Sequence, residues 1–200
     1  MDTVELPPIP DRDTGEPRPP AAPLQSSGRT SEPGEKRRAP QPPEGEGPII
    51  EYYVSSRRSK LQGALLYAAI AIVFLILKDW GFAWMIEMRS LWIAVVLMGG
   101  LGYLAASSFE MSAGSDWYRE HDNYVKIYEL TTVEVTKRVG SWGLKLVDKN
   151  GRSVEPGLTA AQLNPKLWDL VYNGILHSVC DGAEVNYRAV KMLQLERIGQ

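Results

Sequence analysis

Two long apolar runs without a charged residue dominate the hydropathy pattern of the chain. The first covers 61–77 and the second covers 90–109. As α-helices, runs of 17 and 20 residues are long enough to cross a hydrocarbon core of about 30 Å, and a helix satisfies its own backbone hydrogen bonds in lipid. The pattern therefore predicts a membrane protein with a two-helix transmembrane hairpin. A basic juxtamembrane segment at 51–60 precedes it, and a short extracytoplasmic loop at 78–89 joins the two spans.

Downstream of the second run, apolar and polar positions alternate over short stretches. Residues 131–139 and 142–147 alternate with period two, which is typical of half-buried strands. Asn150-Gly151 is a strong hairpin signal because both residues accept positive φ, and it predicts a third strand at 153–159. Upstream of these strands, the spacing of aromatic residues predicts a short helix from Ser115, followed by a further strand.

The pattern then changes to the helical period. Asn164 and Pro165 form a helix start, as the N-cap and the first-turn residue. One stripe of this helix is apolar and predicts a buried face, whereas the opposite stripe is polar and predicts a solvated face. The apolar stripe contains Leu167, Leu170, Val171, Gly174 and Ile175 beside Trp168, and the polar stripe contains Asp169, Asn173, His177 and Asp181.

The last part of the chain allows two arrangements. Asp181 and Glu184 have the spacing of a capping box, which predicts a second helix through about Arg197. One long helix over 165–197 is the alternative. Either arrangement gives residues 115–197 the same fold class, a small cytosolic α+β domain in which amphipathic helices pack on an antiparallel β-meander.

Two stretches of this domain, WGLKLVDKNGRSV and NPKLWDLVYNGILHSV, resemble uncharacterised actinobacterial membrane proteins with two transmembrane helices and a C-terminal pleckstrin-homology-like domain. The order of elements over residues 60–180 agrees with that family. The resemblance implies a binding or assembly role and assigns no functional residue. The sequence departs from the fold in one respect, because it predicts three or four strands before the helix where the fold has seven.

Residues 1–50 have a composition unlike the rest of the chain. They hold 12 of the 14 prolines and no aromatic residue, which predicts a disordered, proline-rich N-terminal tail. The stretch from Pro7 to Arg12 matches the PxxPxR pattern of a segment that lies in a polyproline groove. Because a proline-dense segment produces such matches easily, a solvated tether is the simpler interpretation.

Basic residues flank the predicted hairpin on one side. Arg57, Arg58 and Lys60 precede the first span, whereas the loop between the spans carries Lys78 and Arg89. The positive-inside rule therefore predicts a multi-pass inner- or plasma-membrane protein with both termini in the cytoplasm. Contact with anionic lipid is an alternative role for the basic cluster.

Small residues recur at helical spacing in both apolar runs. Ala64 and Ala68 lie four apart in the first run, and Gly102 and Ala106 do so in the second. Small residues at this spacing let helix backbones approach closely in lipid. They indicate either that the two helices of one chain pack together or that copies of the chain associate through this face. Neither run contains an ionisable group of the kind that transport pathways use.

The sequence offers little that is typical of catalysis. His177, Cys180 and Asp181 are the residues of metal-ligand type that lie close together, but structural zinc needs four ligands and the chain has one cysteine and one other histidine. Hydrolase, phosphate-loop and metalloprotease motifs are absent from the sequence. We therefore predict no catalytic residue, no cofactor and no metal. The soluble domain is slightly acidic, which argues against nucleic acid as a partner.

These patterns predict a non-enzymatic integral membrane protein that anchors a small cytosolic binding or assembly domain at the bilayer. Its expected partners are the lipid bilayer and either a second protein or another copy of the chain, bound through the C-terminal domain or the transmembrane helices. Two alternatives remain open at the level of sequence. One is a holin-like or pore-forming small membrane protein, and the other is an enzyme of unrecognised type.

Overall fold

The computed structural model describes residues 6–24, 40–55, 57–79, 90–107, 110–138 and 140–197. These residues form two compact units. One unit lies within Val54–Phe109, and the other combines Met1–Tyr53 with Glu110–Gln200. We call the described part of the second unit the composite domain, because its residues come from both sides of the apolar segment. It is an α+β fold whose sheets consist mainly of antiparallel strands.

The apolar unit contains helices α1 (Arg57–Asp79) and α2 (Leu91–Ser107), which pack on each other with Leu75 and Val95 buried between them. Within α1, Lys60–Lys78 is a 19-residue span with a mean hydropathy of 2.1. Among the described residues it is the one helix long and apolar enough to cross a membrane, by length and composition. The apolar part of α2, Leu91–Leu104, is shorter, and the predicted second span also included 108–109, which lie outside the described residues.

The first sheet of the composite domain contains strands from before and after the apolar unit. Its order is β1 (Glu51–Val54), β2 (Glu110–Ala113), β3 (Trp117–Glu120) and β4 (Asn123–Lys126). The Ile50 N–H, just before β1, donates to the carbonyl of Ala113 at the end of β2 at 2.9 Å. The end of β1 therefore lies beside the start of β2, and residues 55–109 are an insertion between neighbouring strands.

The short helix predicted from Ser115 is wrong. The structure has the β3–β4 hairpin there, with Tyr118 opposite Val125 and Arg119 opposite Tyr124. His121 lies in the turn with φ of 55°, which is incompatible with a right-handed helix. Trp117, His121, Tyr124 and Tyr128 lie three or four residues apart in the sequence, which is also the spacing along one face of a helix. In the structure these residues belong to two short strands and the turns that follow them.

The second sheet confirms the two predicted alternating strands and the hairpin at Asn150-Gly151. Its order is β7 (Ser153–Val154), β6 (Ser141–Asp148), β5 (Leu130–Arg138) and β8 (Glu184–Val185), and β8 runs parallel to β5. The third strand is shorter than the predicted 153–159, because Pro156 interrupts it and helix α3 (Leu158–Ala161) follows. Among the described residues, seven strands therefore precede the amphipathic helix, rather than the three or four that the sequence predicts.

Helix α4 (Pro165–Cys180) begins as predicted, because the Asn164 side chain accepts hydrogen bonds from the N–H groups of Lys166 and Leu167. Its predicted apolar stripe is confirmed as core. The buried residues of α4 include Leu167, Trp168, Leu170, Val171, Gly174 and Ile175. The helix packs against β5 of one sheet and β2 of the other, so it holds the two sheets together.

The structure has a separate second helix, as in the first predicted arrangement, but this helix starts later than predicted and has a different cap. Asp181 is the C-cap of α4 rather than the start of a capping box, and Gly182 turns the chain with φ of 98°. Strand β8 comes next, and helix α5 (Tyr187–Met192) has Asn186 as its N-cap. A 3₁₀ turn, Leu195–Arg197, follows. The Asn186 side chain also bonds the N–H and the carbonyl of Val135 in β5, which fixes this helix start beside the sheet.

Candidate functional site

The polar face of α4, predicted to be solvated, is covered by the chain's own N-terminal segment. We call residues 6–24 the strap, and we call the side chains of Trp168, Asp169, Asn173 and His177 the strap face. The strap contacts this face near its two ends, through Pro7 and Pro8 and through Ala22 and Pro23. The prediction of a solvated face is therefore wrong for Asp169, Asn173 and His177, whose side chains bind main-chain groups of the strap. Asp181, the fourth predicted residue, is exposed.

The first contact lies towards the C-terminal end of α4. His177 Nε2 is 2.7 Å from the carbonyl oxygen of Pro7. A carbonyl only accepts hydrogen bonds, so Nε2 carries the proton in this arrangement. The Asn173 side-chain amide donates to the carbonyl of Pro8 at 3.1 Å and to the hydroxyl of Tyr128 at 3.0 Å. One turn and a half of helix thus binds two successive proline carbonyls.

Tyr128 supports this contact from the loop before β5. Its ring meets the His177 ring edge to face, with centroids 5.3 Å apart. Burial raises the pKa of Tyr128 to about 12, although the hydrogen bond from Asn173 acts in the opposite direction. The hydroxyl is therefore neutral at physiological pH. It accepts a hydrogen bond from Asn173, and the ring contacts the imidazole, so Tyr128 orients both groups without adding charge.

The second contact lies nearer the N-terminal end of α4. The indole N–H of Trp168 donates to the carbonyl of Pro23 at 3.0 Å. The Ala22 N–H donates to Asp169 Oδ1 at 2.8 Å. Burial raises the pKa of Asp169, the hydrogen bond from Ala22 lowers it, and the nearby charge of Glu51 raises it further. The strap face therefore accepts a hydrogen bond from one N–H of the strap and donates hydrogen bonds to three carbonyls of the strap.

Between its two contacts the strap turns away from α4. Asp11 accepts hydrogen bonds from the N–H groups of Asp13 and Thr14, and Gly15 closes the turn with φ of 69°. A Cβ on Gly15 would lie 2.6 Å from Ile50 Cδ1, so glycine is needed for both the φ and the space. The carbonyl of Arg12 also accepts from Ser115 Oγ at 3.3 Å.

Proline suits the strap for a physical reason. The carbonyls bound by the strap face belong to Pro7, Pro8 and Pro23, and proline has no N–H that would need a partner. Its fixed φ also reduces the entropy lost when the segment becomes ordered. The PxxPxR match at 7–12 was the sequence signal for this contact, but it did not identify α4 as the binding surface.

A second described stretch of the tail, residues 40–50, lies against the first sheet. The buried indole of Trp117 donates to the carbonyl of Gly47 at 3.1 Å. The Lys126 ammonium contacts both Glu46 and Asp116. Burial lowers the pKa of Lys126, but the hydrogen bonds to these two carboxylates outweigh it and the net shift is upward.

The structure thus differs from the composition-based prediction for part of the tail. Residues 6–24 and 40–50 have defined positions along the composite domain, held mainly by bonds to their backbone. The parts at 1–5 and 25–39 lie outside the described residues. The composition shows that the tail has few large apolar side chains to bury. A segment can nevertheless be held in place through hydrogen bonds to its main-chain carbonyls, which do not depend on such side chains.

The residues of metal-ligand type serve other purposes. His177 contacts Pro7 and Tyr128, and Cys180 is an exposed thiol at the end of α4. Partial burial and the charge of Asp181 raise the pKa of Cys180, so the thiol is less readily ionised than a free cysteine. In the part of the chain that the structure describes, no three histidine, cysteine, aspartate or glutamate residues are grouped to hold a metal ion.

The predicted packing residues lie where α1 meets α2. A Cβ built on Gly99 would lie 3.5 Å from the Ala64 carbonyl and 3.6 Å from Ala68 Cβ. One built on Gly102 would lie 2.5 Å from the Gly63 carbonyl. The sequence order of these contacts is reversed between the helices, so α1 and α2 are antiparallel. The small residues of one chain thus let its own two helices approach closely.

Other predicted residues of this unit have fewer described contacts. The Lys60 ammonium lies 6.0 Å from the centroid of the Tyr103 ring, at the limit of a cation–π contact. The side chains of Arg57, Arg58 and Ala106 lie outside the described residues.

The strap contact predicts a measurable loss of stability for His177→Ala. The substitution removes the bond to Pro7 and the ring contact with Tyr128, so the free energy of unfolding should fall by about 1–2 kcal/mol. Urea unfolding of the full chain in detergent, followed by tryptophan fluorescence, measures the change. Lys166→Ala, at an exposed position of the same helix, is the matched control and should stay within about 0.5 kcal/mol. Equal effects of the two substitutions would contradict the contact.

Comparison with known proteins gives no match for this chain. No protein-family model matches it, and neither curated proteins nor solved structures give a significant match.

Proposed function

We propose that this chain is an integral membrane protein in which α1 and α2 form a transmembrane hairpin that anchors the composite domain at the cytosolic surface. The exposure of the two helices supports the anchor. Large contiguous apolar surfaces are rare on soluble proteins, and lipid would cover them here. Exposed side chains of α1 include Leu61, Leu65, Leu66, Ile70, Val73, Phe74 and Leu77, and those of α2 include Ile93, Val96, Leu97, Leu101 and Leu104.

One observation carries the topology. The chain before the hairpin and the chain after it fold into one compact unit, with β1 and β2 as neighbouring strands. Neighbouring strands are about 4.8 Å apart, so the two ends of the hairpin belong to the same side of the bilayer. Arg57, Arg58 and Lys60 then favour the cytosol for that side.

The composite domain is proposed to be a binding or assembly module rather than an enzyme. The described part of the chain has two four-stranded sheets, with seven strands before an amphipathic helix, and this supports the pleckstrin-homology-like class that the sequence resembles. The strap face supports a binding role independently, since it already holds a polypeptide segment through side chains that recognise main-chain groups.

Reporter fusions test the anchor and its orientation. A reporter whose activity depends on compartment, fused after Gln200, should report the cytosol, and one inserted at 80–84 should report the opposite side. A fusion at the N-terminus is the matched control, and it should agree with the fusion at Gln200 because both ends belong to the composite domain. An extracytoplasmic signal at Gln200 would overturn the proposed orientation, and extraction of the protein by carbonate would overturn the anchor.

A further inference from the structure

We propose that the strap face is a binding site for an extended, proline-rich segment of a second protein, and that residues 6–24 are its intramolecular competitor. The inference rests on the proposed function in one respect: it takes the composite domain to be a binding module and names the class of ligand that the module binds. The strap then acts as an autoinhibitory occupant, which leaves the face when a partner segment takes its place.

The recognition chemistry is not limited to this chain's own tail. Trp168, Asn173 and His177 all donate to carbonyl oxygens of prolines. Carbonyls are common to every polypeptide, and in a polyproline II segment they project outward without internal hydrogen bonds. Any segment that presents two adjacent carbonyls to Asn173 and His177 in this conformation meets the same donors.

The strap leaves one buried group of the face unpaired. Asn173 is only 2% exposed, and its side-chain oxygen has no hydrogen-bond partner among the described residues. Its amide nitrogen already serves the two acceptors Pro8 and Tyr128. Pro7 and Pro8 carry no N–H that could pair with this oxygen. The neighbouring residues Leu6 and Ile9 do carry an N–H, but neither pairs with the oxygen. A partner segment that places an N–H within hydrogen-bond distance of Asn173 Oδ1 would therefore bind the face more completely than the strap does.

The strap is also held in a way that favours exchange. Of its large apolar side chains, Ile9 and Leu24 are 54% and 42% exposed and Leu6 is only partly buried, so apolar burial contributes little to the contact. The bonds to α4 are instead spread over two short contacts, with a turn of the chain between them. An occupant held by a few polar contacts and by its covalent attachment can be displaced by a free segment at sufficient concentration.

The experiment compares the full chain with a variant that lacks residues 2–24, both in detergent. The probe is a fluorescent peptide with the sequence of residues 5–24, and polarisation measures its binding. The shortened variant should bind the peptide saturably, and the full chain should bind it at least 10-fold more weakly because the attached strap competes. Equal binding by the two proteins would overturn the autoinhibitory role, and the absence of binding to a folded shortened variant would overturn the site.

Side-chain controls locate the binding surface. In the shortened variant, His177→Ala should weaken peptide binding at least 5-fold, whereas Lys166→Ala on the exposed part of the same helix should leave it unchanged. A peptide with alanine in place of every proline should bind at least 10-fold more weakly than the parent peptide. Loss of binding by Lys166→Ala to the same extent as by His177→Ala, or full binding of the alanine peptide, would contradict the proposed recognition.

A second measurement applies where the shortened variant does not fold. In the full chain, excess peptide should accelerate hydrogen exchange of the Ala22 amide several-fold, because displacement breaks its bond to Asp169. No acceleration would overturn the proposal. The full chain could also form a dimer that is lost when residues 2–24 are removed. That result would mean that the face binds the strap of a second copy, and it would overturn the proposal that the ligand belongs to a different protein. These measurements are made in detergent and do not depend on membrane orientation. A negative result would therefore contradict the binding site but not the membrane anchor, which the reporter fusions test separately.

Discussion

Leu170→Asp should abolish the cooperative unfolding transition of the composite domain. Leu170 is fully buried on the face of α4 that packs against the sheets. An aspartate there would bury a carboxylate without a partner, which costs several kcal/mol, and a small domain has a total stability of only about 5–15 kcal/mol. Thermal unfolding of the full chain in detergent, followed by near-ultraviolet circular dichroism, should show the transition lost or shifted down strongly.

Lys166→Asp is the matched control for this experiment. It places the same carboxylate on the same helix at an exposed position in the first turn, where the helix dipole favours negative charge. Its transition should therefore stay close to that of the unaltered protein or rise slightly. An unchanged transition for Leu170→Asp would mean that α4 does not hold the two sheets together, and the described packing would have to be abandoned.

Gly174→Ala should destabilise the composite domain by about 2–3 kcal/mol. In a helix interior the same substitution normally stabilises by up to about 1 kcal/mol, so the sign of the effect is diagnostic. The added Cβ would lie 2.5 Å from Ile127 Cβ and 2.8 Å from the Ile127 carbonyl oxygen. Neither atom belongs to the end of a flexible side chain, so the helix or the loop before β5 must shift. Urea unfolding followed by tryptophan fluorescence measures the loss.

A second glycine tests whether the substitution itself is harmful. Gly100 lies in the interior of α2, and a Cβ built there meets no atom within 4 Å. Gly100→Ala should therefore leave the unfolding transition of the composite domain unchanged. If Gly174→Ala also left the transition unchanged or raised it, the close approach of α4 to Ile127 would be contradicted.

The parts of the fold that the sequence predicts well are those with a local period. The start of α4 follows from Asn164 and Pro165 as capping and first-turn residues, and its buried stripe follows from the helical spacing. Strands β5 and β6 follow from alternation. The β3–β4 hairpin was missed because two short strands around a turn at His121 imitate a helical stripe. Local patterns can identify a face as apolar or polar, but they cannot identify what lies against it.

The candidate site was largely beyond sequence analysis for the same reason. Asp169, Asn173 and His177 of the strap face were assigned to solvent because their side chains are polar. The strap was assigned to disorder because its composition is poor in large apolar residues. Their contact joins residues as far apart as Pro7 and His177 through a main-chain carbonyl. A carbonyl is present at every residue, so such a contact leaves little trace in the pattern of side chains.

The insertion of residues 55–109 between β1 and β2 also sets an order of events during synthesis. β1 leaves the ribosome before the hairpin and its neighbour β2 leaves after it, while the strap emerges before β1 and α4 emerges after β2. The composite domain therefore cannot close until most of the chain has been translated, and in a membrane-inserted chain the anchor is in place before the domain that it holds.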